Sequence, residues 1–233
     1  MKEIKQSAEL LNITEDCELL IERSGRICYK SEEKIYDCSR CIEPGSGIAL
    51  SNPELDACHF TAQIKCPECK SRARKFIKKL IKSGHESVIE HASASFLLTT
   101  DRGITHELVR HRIAAYSQES TRYVNINGNM KVILPKEIED NLKAFPAWFK
   151  AMHAVEDAYT EIIEAGLSPQ YARSVLPNSL AAEIVVTTNF REWRHIIKER
   201  HLNTGAHPQV RELIGMVLKE LKEHAPSVFE DLV

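Results

Sequence analysis

Apolar and polar positions recur along this chain with two different periods, and the changes of period predict its elements. From Arg72 to Lys82 the apolar residues Phe76, Ile77, Leu80 and Ile81 return at helical spacing among lysines and arginines, which predicts an amphipathic helix ending at Gly84. A strand is expected next. Alternation through His91 to Leu98 puts His91, Ser93 and Ser95 on one face and Ala92, Ala94, Phe96 and Leu98 on the other, so the polar face is a candidate ligand face. Ile104 to about Arg112 reads as helix, Arg122 to Val124 and Lys131 to Leu134 as extended, and residues 137 to 165 as a long helical pattern. Pro169 to Val175 opens another short helix. Ala182 to Thr188, rich in Val, Ile and Thr, predicts a strand, and Phe190 to Arg200 a helix. In the last helix Val210, Leu213, Ile214, Val217, Leu218 and Leu221 form an apolar stripe.

Helices alternating with a few strands predict an α/β (α+β) fold with a central sheet flanked by helices, as one domain over residues 1–233. Residues 1 to about 36 read as a helical or mixed opening. Residues 37–70 read as an irregular cysteine-bearing insert, in which Pro44, Gly45, Gly47, Pro53 and Pro67 interrupt any period.

Composition narrows this picture only a little. A chain of 233 residues, 43% hydrophobic, can bury one substantial core, and a formal charge of -2 implies no general affinity for polyanions. The first twenty residues lack the apolar centre and cleavage site of a secretion signal, and no run approaches the roughly 18 apolar residues that cross a bilayer. A cytoplasmic protein with reduced cysteines and no membrane partner is therefore expected. Among its seven cysteines, Cys38-x-x-Cys41 and Cys66-x-x-Cys69 have the knuckle spacing of a structural zinc site, with 24 residues between the pairs. Cys58 and His59 are alternative ligands, and plain thiols are the competing reading.

Between Arg110 and Tyr123 the text RHRIAAYSQESTRY gathers three arginines, a histidine, a glutamine and three hydroxyl residues. Arginine meets phosphate with a planar fork of donors that keeps its charge, and hydroxyls add neutral hydrogen bonds. On a helix, Arg110 stands one turn from His106 and His111 one turn from Glu107. The segment suits an anion, although surface charge beside a turn accounts for its composition equally well. Farther on, Arg191 and His195 share one helical face, while Phe190, Trp193 and Ile197 point to the core. Arg200 continues the apolar side, which asks for a partner anion.

Arg110-His111-Arg112, seven residues, Ser120, then Arg122-Tyr123 resembles the motif of flavin-dependent thymidylate synthases. It is joined by Gly84-His85-Glu86-Ser87 with Glu90-His91, by Ala172 to Pro177, and by the region from Asn189 to His207, so the resemblance spans residues 71 to 225. It implies methylation of dUMP to dTMP, with methylenetetrahydrofolate as carbon donor and NADPH-reduced FAD as hydride source. By the same resemblance Arg110 lies between flavin and nucleotide, and Ser120 is a nucleotide contact at the reaction centre instead of a nucleophile. Glu107, Gln118, Glu119, Arg122, Arg173 and Arg200 are expected to contact dUMP. His91, Ser93, His111, Arg112, Asn189, Arg191, His195 and His207 are expected to contact FAD, with His201 competing for the role of His207. Glu107 departs from the family's usual glutamine, and a carboxylate there belongs near the pyrimidine and away from phosphate. The resemblance also implies a homotetramer with FAD between subunits; no Gly-x-Gly-x-x-Gly supports a Rossmann-type flavin site. Two rivals remain: a zinc ribbon with a basic helix that binds nucleic acid, and a nucleotide-binding protein without catalysis.

Overall fold

The computed structural model describes residues 1–35 and 66–233. In chain order they form β1 (Lys2–Ile4), β2 (Ser7–Ile13), α1 (Cys17–Cys28), α2 (Pro67–Lys82), β3 (Ser93–Asp101), α3 (Arg102–Leu108), β4 (Ala115–Gln118), β5 (Lys131–Ile133), α4 (Lys136–Glu139) and α5 (Ala144–Glu164). They continue with α6 (Pro169–Ala172), β6 (Ala181–Asn189), α7 (Phe190–Ile197), a π-helical turn (Lys198–Leu202), α8 (Pro208–His224) and α9 (Pro226–Phe229). Four strands form one sheet in the order β2-β3-β6-β4, and β1 pairs with β5 in a small parallel ribbon.

The sheet is built on β3 and β6, which pair antiparallel from Ser93 opposite Asn189 to Asp101 opposite Ala181. Alternation works as the sequence predicts: Ala94, Phe96 and Leu98 of β3 and Ala182, Ile184 and Val186 of β6 are buried on one face. The other face carries Ser95 and Thr187, whose hydroxyls meet at 2.8 Å. On the buried face lie Ile77, Leu80, Phe190, Trp193, Val210, Leu213, Ile214 and Val217. Trp193 is fully buried, donates its indole N–H to the Ala94 carbonyl at 3.0 Å and meets the Phe96 ring edge-on.

Several expected boundaries move. The opening contains two strands besides a helix, and β2 pairs with β3 across a bulge between Leu10 and Asn12. α2 begins at Pro67, so Cys66 and Cys69 sit at a helix start and not in irregular chain, both buried. Its end is closed by Gly84 at φ +75°, with the His85 amide bonded to the Leu80 carbonyl. His91 ends a 3-10 turn (Glu86–His91) before the strand starts, and it is exposed, so it does not share the face of Ser93 and Ser95. Arg122 and Tyr123 lie in a turn and not in a strand, with the Tyr123 and Val124 amides both bonded to the Ser120 carbonyl. The long pattern after residue 136 divides into α4 and α5, and the helix after β6 changes to a π turn at Lys198.

α1 and α2 are clamped by charge. Glu22, buried, receives Arg26 at 2.9 Å and Arg72 at 3.0 Å, and Glu18 receives Arg74 at 2.7 Å. The arginines of the basic helix thus face acids of this chain.

Asp101 joins sheet to site. It is buried, accepts the Ile104 amide at 2.8 Å as the cap of α3, and accepts the Gln209 side chain of α8 at 2.7 Å. Replacing Asp101 by Ala removes a helix cap and leaves a buried amide donor unsatisfied, so unfolding free energy should drop by about 2–4 kcal/mol. Asp101→Asn, which keeps one acceptor, should lose less. Denaturant midpoints with unchanged slope measure both, and equal losses would show that the capping geometry is not the source.

Candidate active site

α3 leads from the β3 cap to the motif and then stops. Its last residue is Leu108; Val109 and Arg110 form a turn, and the His111 amide bonds to the Leu108 carbonyl. The expected helix through Arg112 is therefore corrected, and the one-turn relations of Arg110 to His106 and His111 to Glu107 do not hold. The Tyr116 hydroxyl explains the stop. It lies 2.7 Å from the Leu108 carbonyl and 2.8 Å from the His111 carbonyl, offering the chain a partner outside the helix. Thr188 of β6 donates to the Ile113 carbonyl, tying the far side of the turn to the sheet.

This turn carries His111 into a buried cluster. Arg200, on the π turn, donates Nε–H to His111 Nε2 at 3.0 Å and Nη1–H to the Glu107 carboxylate at 2.9 Å. The Glu192 carboxylate faces His111 Nδ1 at 3.7 Å, and the His195 ring stands edge-on to His111 with centroids 5.5 Å apart. Burial, then Arg200, His195 and Arg110, lower the His111 pKa to about 4, so the ring is neutral near pH 7. Burial raises the Glu192 carboxyl while His195 opposes it, and burial with Glu192 pushes Tyr116 up to about 12. Arg110 and Arg112 are exposed, and neither makes an ion pair or side-chain hydrogen bond among the described residues.

The other side of α3 opens on a cavity of about 740 Å³. Arg102 and His106, one turn apart on α3, line it together with Arg173, Thr121, Tyr171 and Asn178. Arg102 lines it, although its Nη1, closed off from solvent, has no hydrogen-bond partner among the described residues. Two arginines of fixed charge on one lining suit an anion.

The expected residues are thus distributed. Glu107, His111, His195 and Arg200 come together, and the partner of Arg200 is the Glu107 carboxylate, so the anion it asked for is part of this chain. Arg173 lines the cavity. Gln118 donates to Thr105 at 2.9 Å, and Ser120 Oγ accepts the Arg122 amide at 3.3 Å. Glu119 and Arg122 are exposed, and the Arg122 guanidinium lies over the Tyr123 ring. Asn189 caps α7 through the Glu192 amide, Ser93 pairs with Thr14, and His207 Nδ1 caps α8. Arg191 is held at the surface by Glu90 at 2.6 Å, and His201 Nδ1 lies 2.7 Å from the Arg211 carbonyl. Cys38 and Cys41 lie outside the described residues. Sequence reading missed Glu192, Arg102 and His106; a carboxylate three residues before His195 on the buried side of α7 was the available sign for the first.

A pH effect follows from His111. Its unfolded value is near 6.5 and its folded value about 4, so the unfolded chain binds more protons between them. This stability is fully present above about 6.5 and is lost as pH falls towards 4. Thermal midpoints of His111→Gln should decline less steeply over that interval than those of the wild-type protein; parallel curves would place the titration elsewhere.

Comparisons with known proteins bear on this arrangement. The family described as thymidylate synthase complementing protein matches residues 9–227. A flavin-dependent thymidylate synthase of Geobacter sulfurreducens is 34% identical over 224 residues, covering 95% of this chain and 84% of that one. Another, from Mycolicibacterium gilvum, is 41% identical over 211 residues, covering 84% of this chain and 83% of that one. A UMP/dUMP methylase from Streptomyces cacaoi, solved bound with 5-Br dUMP, shares the fold at TM-score 0.75 and 18% identity, covering 99% of this chain and 96% of that one. With nearly its whole length matched, this chain belongs to the thymidylate synthase complementing protein family, the family of these flavin-dependent thymidylate synthases.

Proposed function

We propose that the chain is a flavin-dependent thymidylate synthase that converts dUMP to dTMP, taking the carbon from methylenetetrahydrofolate and hydride from FAD reduced by NADPH. The observation that carries this reading is the two-sided use of α3, with a cationic cavity at Arg102, His106 and Arg173 on one side and the His111, His195 and Arg200 cluster on the other. The cavity suits a nucleotide phosphate, with Arg102 and Arg173 both on its lining. Across α3, the Arg200 fork and the Glu107 carboxylate offer a donor and an acceptor to a pyrimidine edge.

The residues also fit the flavin. Exposed Arg112 supplies an unpaired guanidinium fork for a diphosphate, and the neutral His111 with His195 supplies ring edges for a planar heterocycle. Bound FAD would supply the hydride-transfer chemistry; the chain's part is to hold both ligands and to stabilise negative charge developing on the activated uracil. Arg110 is assigned that stabilising role, with Ser120 contacting the nucleotide. Ser93, Asn189, Arg191, His91 and His207 extend the flavin contacts, and Gln118, Glu119 and Arg122 the nucleotide contacts.

A homotetramer with shared sites fits the exposure around the motif, where Ile113 and Tyr123 are 69% and 77% exposed. Free thiols at Cys17 and Cys28 suit a reducing cytoplasm. A structural zinc would join Cys66 and Cys69 to Cys38 and Cys41. A nucleic-acid role is disfavoured by the pairing of Arg72 and Arg74 with Glu22 and Glu18.

Purified protein should be yellow with flavin absorbance and form dTMP from dUMP anaerobically with NADPH and methylenetetrahydrofolate; a colourless protein that takes up no FAD would overturn the proposal. Arg110→Ala should abolish turnover. Arg173→Ala should raise the KM for dUMP about tenfold or more, the cost of one charged hydrogen bond to phosphate, with flavin content retained. Metal analysis tests the zinc: a Cys66→Ser, Cys69→Ser double variant should lose about one zinc per chain, and unchanged content would exclude these ligands.

A further inference from the structure

Glu192 is a buried acid beside His111. Its backbone belongs to the first turn of α7, where its amide bonds to the Asn189 cap, and its carboxylate faces His111 Nδ1 at 3.7 Å. His111, Glu192 and His195 present ligand atoms within 4.8 Å of one another, a spacing a metal ion could use. The hydrogen bonds argue otherwise. Arg200 cannot lose its proton, so its Nε–H is a donor, and His111 Nε2 at 3.0 Å must be the bare, accepting nitrogen. A metal on Nδ1 would then require an imidazolate anion.

The same constraint fixes the tautomer. Of the three states of the ring, the cation sets two positive groups together, and the Nε2–H form sets two donors head to head. Only the Nδ1–H form serves while Arg200 keeps this place, and the Glu192 carboxylate, 3.7 Å from Nδ1, is the acid on that side of the ring. We propose that Glu192 is a positioning residue: it holds His111 in the Nδ1–H tautomer, so that His111 Nε2, with the Glu107 carboxylate, aims the Arg200 guanidinium at the nucleotide.

The relay runs from α7 through the motif turn to the π turn, and three of its members lie on separate segments. Arg200 receives support on two edges: Nε on His111, Nη1 on the Glu107 carboxylate, with Nη2 3.4 Å from the Glu107 carbonyl. A long flexible side chain is thereby confined to one orientation without a dedicated carboxylate pair on each nitrogen, and the cost of ordering it is met before a ligand arrives. The other groups that disfavour a proton on His111 are Arg110 and His195. Both thereby favour the neutral state that the relay needs. This inference rests on the proposed meeting of Arg200 with dUMP.

The test is nitrogen-15 NMR of the flavin-loaded protein labelled at histidine, with His111 assigned by loss of its signals in His111→Gln. Wild-type protein should show His111 Nδ1 protonated and Nε2 bare near pH 7; Nε2 protonated in the wild type overturns the proposal with no substitution needed. Glu192→Leu, which has no acceptor, should shift the ring towards the other tautomer and raise the KM for dUMP about tenfold, with kcat changed much less. Glu192→Gln, whose amide oxygen still accepts, should restore both. Wild-type tautomer and KM in Glu192→Leu, beside a raised KM in Arg200→Leu, would remove Glu192 from the relay. An unchanged KM in Arg200→Leu would instead overturn the placement of Arg200 at the nucleotide, and the aim of the relay with it, while the tautomer result stood.

Discussion

The antiparallel ladder between β3 and β6, from Ser93 opposite Asn189 to Asp101 opposite Ala181, fixes where both site-bearing helices begin. Each strand runs directly into a helix, and each junction is a side-chain cap: Asp101 for α3 and Asn189 for α7. A slip of one residue would turn Phe96 and Ile184 to the outer face. It would also displace both caps, and with them the helices whose residues meet at His111. Core register and site geometry are therefore one constraint, and Trp193 locks it by packing on Phe96 while bonding to the Ala94 carbonyl.

Where one periodicity dominated, the sequence was readable. β3, β6, α7 and α8 each bury one face against the same core, so alternation or helical spacing states their environment directly. β1 and β2 were missed because Lys, Glu and Leu there favour helix, and the pairings that make them strands, β1 with β5 and β2 with β3, are distant in sequence. The end of α3 was missed for a related reason. Nothing in Val109-Arg110-His111 stops a helix locally; the stop is the Tyr116 hydroxyl, several residues later.

The site was legible in kind but not in connection. Arg200 stood out as a charge on an apolar stripe, and it does require an anion, but a protein carboxylate already fills that need through Glu107. Asn189 and His207, expected at a ligand, spend side-chain acceptors on helix caps. Arg102 and His106 gave no signal because their importance comes from the approach of the chain around Arg173, which encloses the cavity. Spacing along a helix shows which residues share a face, but the partner of that face is set by tertiary packing.

Why a neutral histidine stands beside Arg200, when a second carboxylate would bind a guanidinium more strongly, has an electrostatic answer. Glu107 already supplies one negative charge to Arg200. A further negative charge at position 111 would cancel the remaining positive potential and, in the proposed function, weaken attraction for an anionic nucleotide. A lone pair on a neutral ring orients the guanidinium without that loss. The arrangement works only while the ring stays unprotonated, which burial and the nearby Arg200, His195 and Arg110 together enforce. The concentration of cations that first marked the motif as an anion site thus has a second effect: it keeps the central histidine of that motif a hydrogen-bond acceptor.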